Sequence, residues 1–279
     1  MNKNIPNKKE SFNLPLIESE TIESLSAKLL TVTTQLTETN KELIRVQKER
    51  ETMISNISHD LRAPLTAIRS SIDYLMSAKN LSKEDVDSAL ALMNRRTKIL
   101  EDLIQDMFYL FCVEDTSKEL NLETVDATPF LEEYFYDTLA DTRFDTHDMR
   151  LELAENLGCK IRVDIPKLVR VLDNLFTNAA KYTPEDSCIV LESHVDNSAN
   201  RLIISILDNG PGIPEESLPH IFQRTYTVSS ARTPGAPSGS GLGLSIVKAI
   251  MERHGGTVFC ESELGKGCRF TLTLPISDI

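Results

Sequence analysis

No apolar run in this 279-residue chain approaches the ~20 residues needed to span a bilayer. The longest, MFYLFCV (107–113) and LIISIL (202–207), are of a size for a buried core. The first residues, MNKNIPNKKESFNLP, lack the apolar segment of a secretory signal. A cytoplasmic protein with no membrane insertion is therefore expected. Basic excess is also missing: 30 Lys and Arg stand against 42 Asp and Glu, a net charge of −12. That balance lacks the electrostatic footprint of a nucleic-acid binder. Cysteines are few and scattered, at 112, 159, 188, 260 and 268. Their odd number and spacing fit neither a disulfide framework nor a metal site, and free thiols in a reducing compartment are expected. His147, His194, His220 and His254 have no clustered partners in the sequence and read as structural or solvated.

Periodicity divides what remains. After a polar start, Leu25, Val32, Val46 and Met53 fall on one heptad seam position, and Leu29, Leu36, Leu43 and Ile57 on the other. Thr39 and Arg50 interrupt it. β-Branched residues at one position and Leu at the other favour a parallel two-stranded coil; a single amphipathic helix packed on its own domain is the alternative. The stripe continues through Leu61, Leu65, Ile68, Ile72 and Leu75, but Ile57 to Leu65 is eight residues where a heptad needs seven. SAKNLSKED (77–85) supplies a loop and a capping signal, Ser82 with Asp85. Val86, Leu90, Met93, Leu100, Ile104, Met107 and Phe111 then predict a second long helix. Such a hairpin buries only part of its stripe alone, and two of them make a four-helix bundle. A polar linker follows. Beyond it, strand-like runs (LELAE, CKIRVD, CIVLESHV, RLIISIL) alternate with helical ones, as in an α/β sandwich with helices on one sheet face. The predicted organisation is a disordered start and coiled coil (1–50), a dimerising helical hairpin (51–113), a linker (114–119) and an α/β domain (120–279).

Four stretches carry chemistry. In SNISHDLRAPLTAI (55–68), His59 points away from the seam set by Ile57 and Leu61. Asp60 beside it can orient an imidazole or accept its proton. Pro64 removes an N–H and crowds the Asp60 carbonyl, so a bend is expected there. In VLDNLFTNAAKYT (171–183), Leu168, Leu172, Leu175 and Ala179 form an apolar face edged by Asn174, Asn178 and Lys181. Asparagine is a poor mid-helix residue, so two in phase with a lysine suggest a lined site. Amide oxygens suit Mg²⁺ and the lysine suits phosphate. DNGPGIP (208–214) ends a strand with Asp208 as an acceptor, and Gly210 and Gly212 permit a tight turn. SGSGLGLSIV (238–247) opens a helix behind Gly239, Gly241, Leu242 and Gly243, a junction that can bind phosphate through free N–H groups. It is neither a P-loop nor a dinucleotide fingerprint. Residues 223–241, rich in Ser, Thr, Gly and Pro, read as a lid over it.

In this order the stretches resemble the two-component sensor histidine kinases. SHDLRAPL is similar to their H box, NLFTNAAKYT to the N box, DNGPGI to the first G box, IFQRTY to the F box, GSGLGLSI and ESELGKGCRF to the second and third G boxes. The resemblance implies a phosphoacceptor hairpin followed by an ATP-binding domain of the Bergerat (GHKL) type. It implies that His59 is phosphorylated with Asp60 as general base, that Asn178 ligates Mg²⁺ with Asn174 in support, and that Lys181 reaches phosphate. Tyr182 would pack on adenine, Asp208 accept its amino hydrogen, and Gly210, Gly212, Gly239, Gly241, Leu242 and Gly243 shape the ATP site. The implied partners are a second copy in a homodimer, a response-regulator aspartate, and an input through residues 1–50 or a separate sensor protein. A GHKL-type ATPase or serine kinase leaves the His59 segment unexplained; a non-catalytic ATP-binding scaffold leaves a complete set of catalytic residues unexplained.

Two positions depart from the family pattern. Thr225 and Thr227 stand in the F box where an aromatic and a basic residue are usual, which puts lid anchoring in question. Ala63 stands four residues after His59, where Thr or Asn commonly assists removal of phosphate from the partner; alanine cannot hydrogen-bond the attacking water. Weak or absent phosphatase activity is expected. Mixing the protein with phosphorylated regulator and ADP and following regulator phosphate tests this, and rapid dephosphorylation contradicts it.

Overall fold

The computed structural model describes residues 17–78, 81–115, 117–154, 157–228 and 241–277. It divides into two units, residues 1–55 and 56–279. The first is helical in its described part, the beginning of α1 (Ile17–Ser77). Thr31, Thr33, Thr34, Thr37 and Thr39 each return a hydroxyl proton to the carbonyl four residues back, so a threonine-rich segment stays helical with its polar groups satisfied. Leu25, Leu29, Val32, Leu36, Leu43 and Val46, the seam residues, are all exposed in the single chain.

In the second unit the remainder of α1 and α2 (Lys83–Glu114) form a helical hairpin. Ser82 caps α2 in the predicted way. Its hydroxyl accepts from the Asp85 N–H at 3.1 Å, and the Asp85 carboxylate accepts from the Ser82 N–H at the same distance. α1 runs through Pro64 without interruption; one missing ladder bond is tolerated between well-formed turns, and the proline is buried. On α2 the face buried within the chain is Ala89, Leu103, Leu110 and Val113, whereas Leu90, Ile104 and Phe111 of the predicted stripe stay exposed. The reason lies in α5 (Gly243–Arg253), against which α2 packs: the helix turns one face to the α/β half of the chain and leaves the heptad stripe outward.

That half holds a two-stranded antiparallel pair, β1 (Glu123–Asp126) with β3 (Lys160–Val163), and a five-stranded sheet. The sheet comprises β2 (Asp148–Leu153), β4 (Cys188–Asp196), β5 (Arg201–Asp208), β6 (Thr257–Glu263) and β7 (Gly267–Pro275) in the order β2-β4-β5-β7-β6. β2 runs parallel to β4, and the other pairs are antiparallel. Register aligns Leu191, Ile206 and Phe270 in one row, and Ile204 with Leu272 in the next. These point into a core shared with α4 (Ile165–Tyr182) and α5 (Gly243–Arg253). α3 (Ala127–Leu139) contributes Leu131 and Phe135. Burying each such aliphatic side chain contributes about 1.5–3 kcal/mol. Pro166 lies in the first turn of α4, where its missing N–H costs nothing, and Asp164 caps that helix through the Lys167 N–H.

His254, at the end of α5, is structural, as its isolation in the sequence suggested. Its Nδ1–H donates to the Ile250 carbonyl at 2.8 Å and its Nε2 accepts from the Asp164 N–H at 3.0 Å, fixing the neutral tautomer. Burial lowers its pKa below the ordinary 6.5. The unfolded chain therefore binds this proton more readily than the folded one. Stability from this group is intact above pH 6.5 and is lost as pH falls toward the depressed folded value. Tm measured from about pH 7 to about pH 5 is expected to fall more steeply in the parent than in His254→Asn. Parallel profiles would contradict this.

Candidate active site

α4 carries the first part of the site. Leu168, Val171, Leu172, Leu175 and Phe176 are buried to 1% exposure or less, which fixes the helix rotation and holds Asn174, Asn178 and Lys181 at the edge. Asn174 Nδ2 donates to the Arg170 carbonyl at 2.9 Å, so its Oδ1 turns outward. It faces the N-terminus of α5: a Cβ built on Gly243 would lie 3.1 Å from it. An outward amide oxygen beside a helix N-terminus suits a phosphate-bound divalent cation, and Asn178, half-buried one turn on, carries a second amide. Lys181 Nζ lies 4.8 Å from the centroid of the Tyr182 ring, and burial lowers its pKa. Tyr182 is 39% exposed, leaving ring surface open.

At the other end stands Asp208. Burial pushes its carboxyl pKa up, and the N–H groups of Gly210 and Cys268 act against that shift. Oδ1 accepts from the Gly210 N–H at 2.9 Å. A Cβ on Gly210 would come within 2.8 Å of Thr183 and 2.9 Å of Asp208, so this glycine joins the end of α4 to the carboxylate. The third glycine motif clasps the first. Ser262 Oγ accepts from the Ile213 N–H at 2.8 Å, and Pro211 O accepts from the Gly265 N–H at 2.8 Å. Gly212 (φ +74°) and Gly267 (φ +96°) lie in the left-handed region, and a Cβ on them would fall 2.2 Å from Glu263 O and 1.9 Å from Asp208 O. Ser262 and Gly267 are thus site-shaping residues that the sequence reading did not place in the site; the close approach that requires them joins segments 49 or more residues apart.

Leu242 is fully buried, and its carbonyl accepts from the Ser245 hydroxyl at 2.8 Å, bracing the start of α5. Gly241 (φ +64°) abuts Thr225, whose N–H donates to the Gly241 carbonyl at 3.0 Å. Gly239 lies outside the described residues. Phe222 meets Phe270 edge-on with centroids 6.4 Å apart. Thr225, which departs from the family pattern, is itself anchored: its Oγ1 accepts from Asn56 Nδ2 at 2.7 Å.

His59 is a separate feature. Its side chain is 77% exposed, and Nδ1 approaches Asp60 Oδ1 at 3.4 Å, leaving Nε2 open to solvent. Its helix is tied to the α/β half by Asn56. Three arginines add ties to α2. Arg170 pairs with Asp106 at 2.5 Å and sits over Tyr109, Arg253 donates to the Val113 carbonyl at 3.0 Å, and Arg224 pairs with Glu114. A cleft of about 570 Å³ opens between α3 and α4, lined by Phe130, Tyr134, Val169 and Asp173 among others; none of the candidate residues lines it.

Two family models match the chain: the His Kinase A (phospho-acceptor) domain over residues 49–115, and the histidine kinase-, DNA gyrase B- and HSP90-like ATPase over 163–278. The chain belongs to the two-component sensor histidine kinases. Among curated relatives of this histidine kinase, sensor histidine kinase WalK of Bacillus subtilis is 32% identical over 238 residues, which is 84% of this chain and 38% of WalK. Sensor protein kinase WalK of Staphylococcus saprophyticus is 34% identical over 233 residues, 83% of this chain and 37% of that protein. The chain thus spans less than two fifths of the length of these relatives. Among solved structures, full-length ShkA in complex with AMPPNP superposes with a TM-score of 0.58 at 26% identity, covering 82% of this chain and 46% of ShkA. Histidine kinase ThkA in complex with response regulator protein TrrA shares the fold, with a TM-score of 0.64 at 23% identity over 83% of this chain and 65% of that one. Among the described residues, no helix is long and apolar enough to cross a membrane.

If Gly243 and Asp208 bound the nucleotide from opposite ends, blocking either should weaken it. Gly243→Ala and Asp208→Ala are each expected to lower ATP affinity about tenfold or more, the cost of one or two lost polar contacts, with little change in Tm. Titration calorimetry with ATP and Mg²⁺ checks this; unchanged affinity in both variants would remove these residues from the site.

Proposed function

We propose that this sensor histidine kinase uses ATP to phosphorylate its own His59 and passes the phosphoryl group to an aspartate of a response-regulator receiver domain. The observation that carries the reading is the pairing of Asp60 with Nδ1 of an exposed His59, on one chain with an outward Asn174 oxygen facing a helix N-terminus. Contact at Nδ1 keeps the ring proton there and leaves the Nε2 lone pair as nucleophile. Nε2 attacks the γ-phosphorus, an N–P bond forms, and the bond to the bridging oxygen breaks with ADP as leaving group. Asp60 holds the proton of the cationic ring, stabilising charge that appears as the bond forms. Transfer of this kind depends on positioning and charge neutralisation more than on covalent help from the protein.

ATP lies, in this reading, between Asp208 at the adenine end and Gly241–Gly243 at the phosphate end. Tyr182 offers ring surface to the base, and Lys181 swings from that ring to phosphate. Support comes from ShkA, similar over most of this chain and solved with AMPPNP, an ATP analogue. Mg²⁺, held by Asn178 with Asn174, would neutralise phosphate oxygens. The working form is a homodimer, in which the exposed seam of α1 and the exposed Leu90, Ile104 and Phe111 stripe of α2 are covered by the second copy. Residues 1–50 carry the input, 51–113 the phosphoacceptor hairpin and 120–279 the catalytic domain, with 114–119 as the hinge.

Incubation with γ-labelled ATP and Mg²⁺ is expected to give an acid-labile, base-stable label on the chain, absent in His59→Gln. A label that survives acid and that substitution would place the phosphoryl group on a hydroxyl and refute the assignment.

A further inference from the structure

The kinase reading leaves the contact between Asn56 and Thr225 without a task. It is a well-formed hydrogen bond. The Thr225 hydroxyl proton goes to the Arg224 carbonyl at 2.6 Å, which frees an oxygen lone pair to accept from Asn56 Nδ2 at 2.7 Å. Thr225 is only 3% exposed and has φ +59°, a left-handed conformation that a β-branched residue adopts only when its surroundings impose it. Its N–H meets the Gly241 carbonyl, and Gly241 packs so closely on it that a Cβ would lie 2.9 Å from the Thr225 carbonyl carbon. Asn56 is three residues before His59. On a helix that spacing puts the two on one face, about 4.5 Å apart along the axis.

We propose that Asn56 is a positioning residue for phosphoryl transfer. Through Thr225 and Gly241 it fixes the nucleotide loop within one helical turn of the phosphoacceptor. The inference rests on the kinase reading and adds to it the link between the two halves of the reaction. Asn56 touches neither substrate nor the reacting nitrogen; it sets where the loop that would carry the phosphates stands relative to His59. Arg170 and Arg253 tie the halves together elsewhere on α2; Arg224, next to Thr225, holds the same segment to Glu114 at the end of α2, whereas Asn56 holds it to the helix of His59. Misplacement of about 1 Å is enough to cost a large factor in rate when transfer depends on near-attack geometry.

The test joins two measurements on the full chain. Asn56→Ala and Thr225→Val are each expected to lower the single-turnover rate of His59 labelling about tenfold, with ATP affinity unchanged within about twofold. The double variant is expected to be no slower than either single one, because both remove the same bond. Asn56→Gln, which keeps the donor, is expected to recover part of the rate. In parallel, amide hydrogen exchange at residues 225–227 is expected to quicken in Asn56→Ala. Unchanged rate and exchange in both variants would overturn the proposal. So would faster labelling, which would make the contact a restraint on transfer. A parent chain that takes no label on His59 refutes the kinase reading and the positioning role with it, whereas the exchange measurement still reports whether the contact exists.

Discussion

α4 buries Leu168, Leu172, Leu175 and Phe176 so completely that it has one rotational setting against the sheet. Turning it by one residue, about 100°, would expose two leucines and bury an asparagine amide. That constraint gives Asn174 and Asn178 their direction without any direct bond to a ligand. It also lets one helix serve two neighbours. Asn174 faces the start of α5, while Arg170, one turn earlier, reaches Asp106 and Tyr109 on α2. Arg170 further accepts the Asn174 side chain on its carbonyl, so the arm that grips the hairpin and the amide proposed for the metal share a turn of backbone.

A second constraint acts at the opposite end of the site. The glycines of DNGPGI and ESELGKGCRF let two turns touch backbone to backbone, with Ser262 joining both. A side chain on Gly212 or Gly267 would force them apart. Asp208 is therefore presented from a rigid floor, while Gly241 rests on Thr225, which in turn accepts from Asn56. In the proposed reading the site combines a fixed adenine end at Asp208 with a phosphate end at Gly241–Gly243 that is set by a contact from α1.

Much of this was legible in the sequence because local rules decide it. The Ser82–Asp85 cap, Pro166 in the first turn of α4, the stop of α5 before Gly255 and the alternation in RLIISIL all follow from short-range chemistry. The direction of His59 followed from its offset to Ile57. What escaped was tertiary. α2 buries Leu103 and Leu110 in place of its heptad stripe because a domain far along the chain packs on it. Thr225 looked like a missing anchor because its partner, Asn56, lies 169 residues away on a polar face with no periodic signal. Clasping glycines carry the same lesson: the need for Gly267 is set by the backbone of Asp208.

The exposed seam of α1 has a thermodynamic consequence. Residues 17–55 show Leu25, Leu29, Val32, Leu36 and Leu43 to water, and intrinsic propensity gives a helix of that kind little stability alone. Its order is then paid for by whatever covers the stripe, and so follows mass action. A segment of this type can report an upstream event as a change in the fraction of chains that are coiled, with no lever arm required. The concentration of chains would then set the coiled fraction together with anything that acts on the stripe.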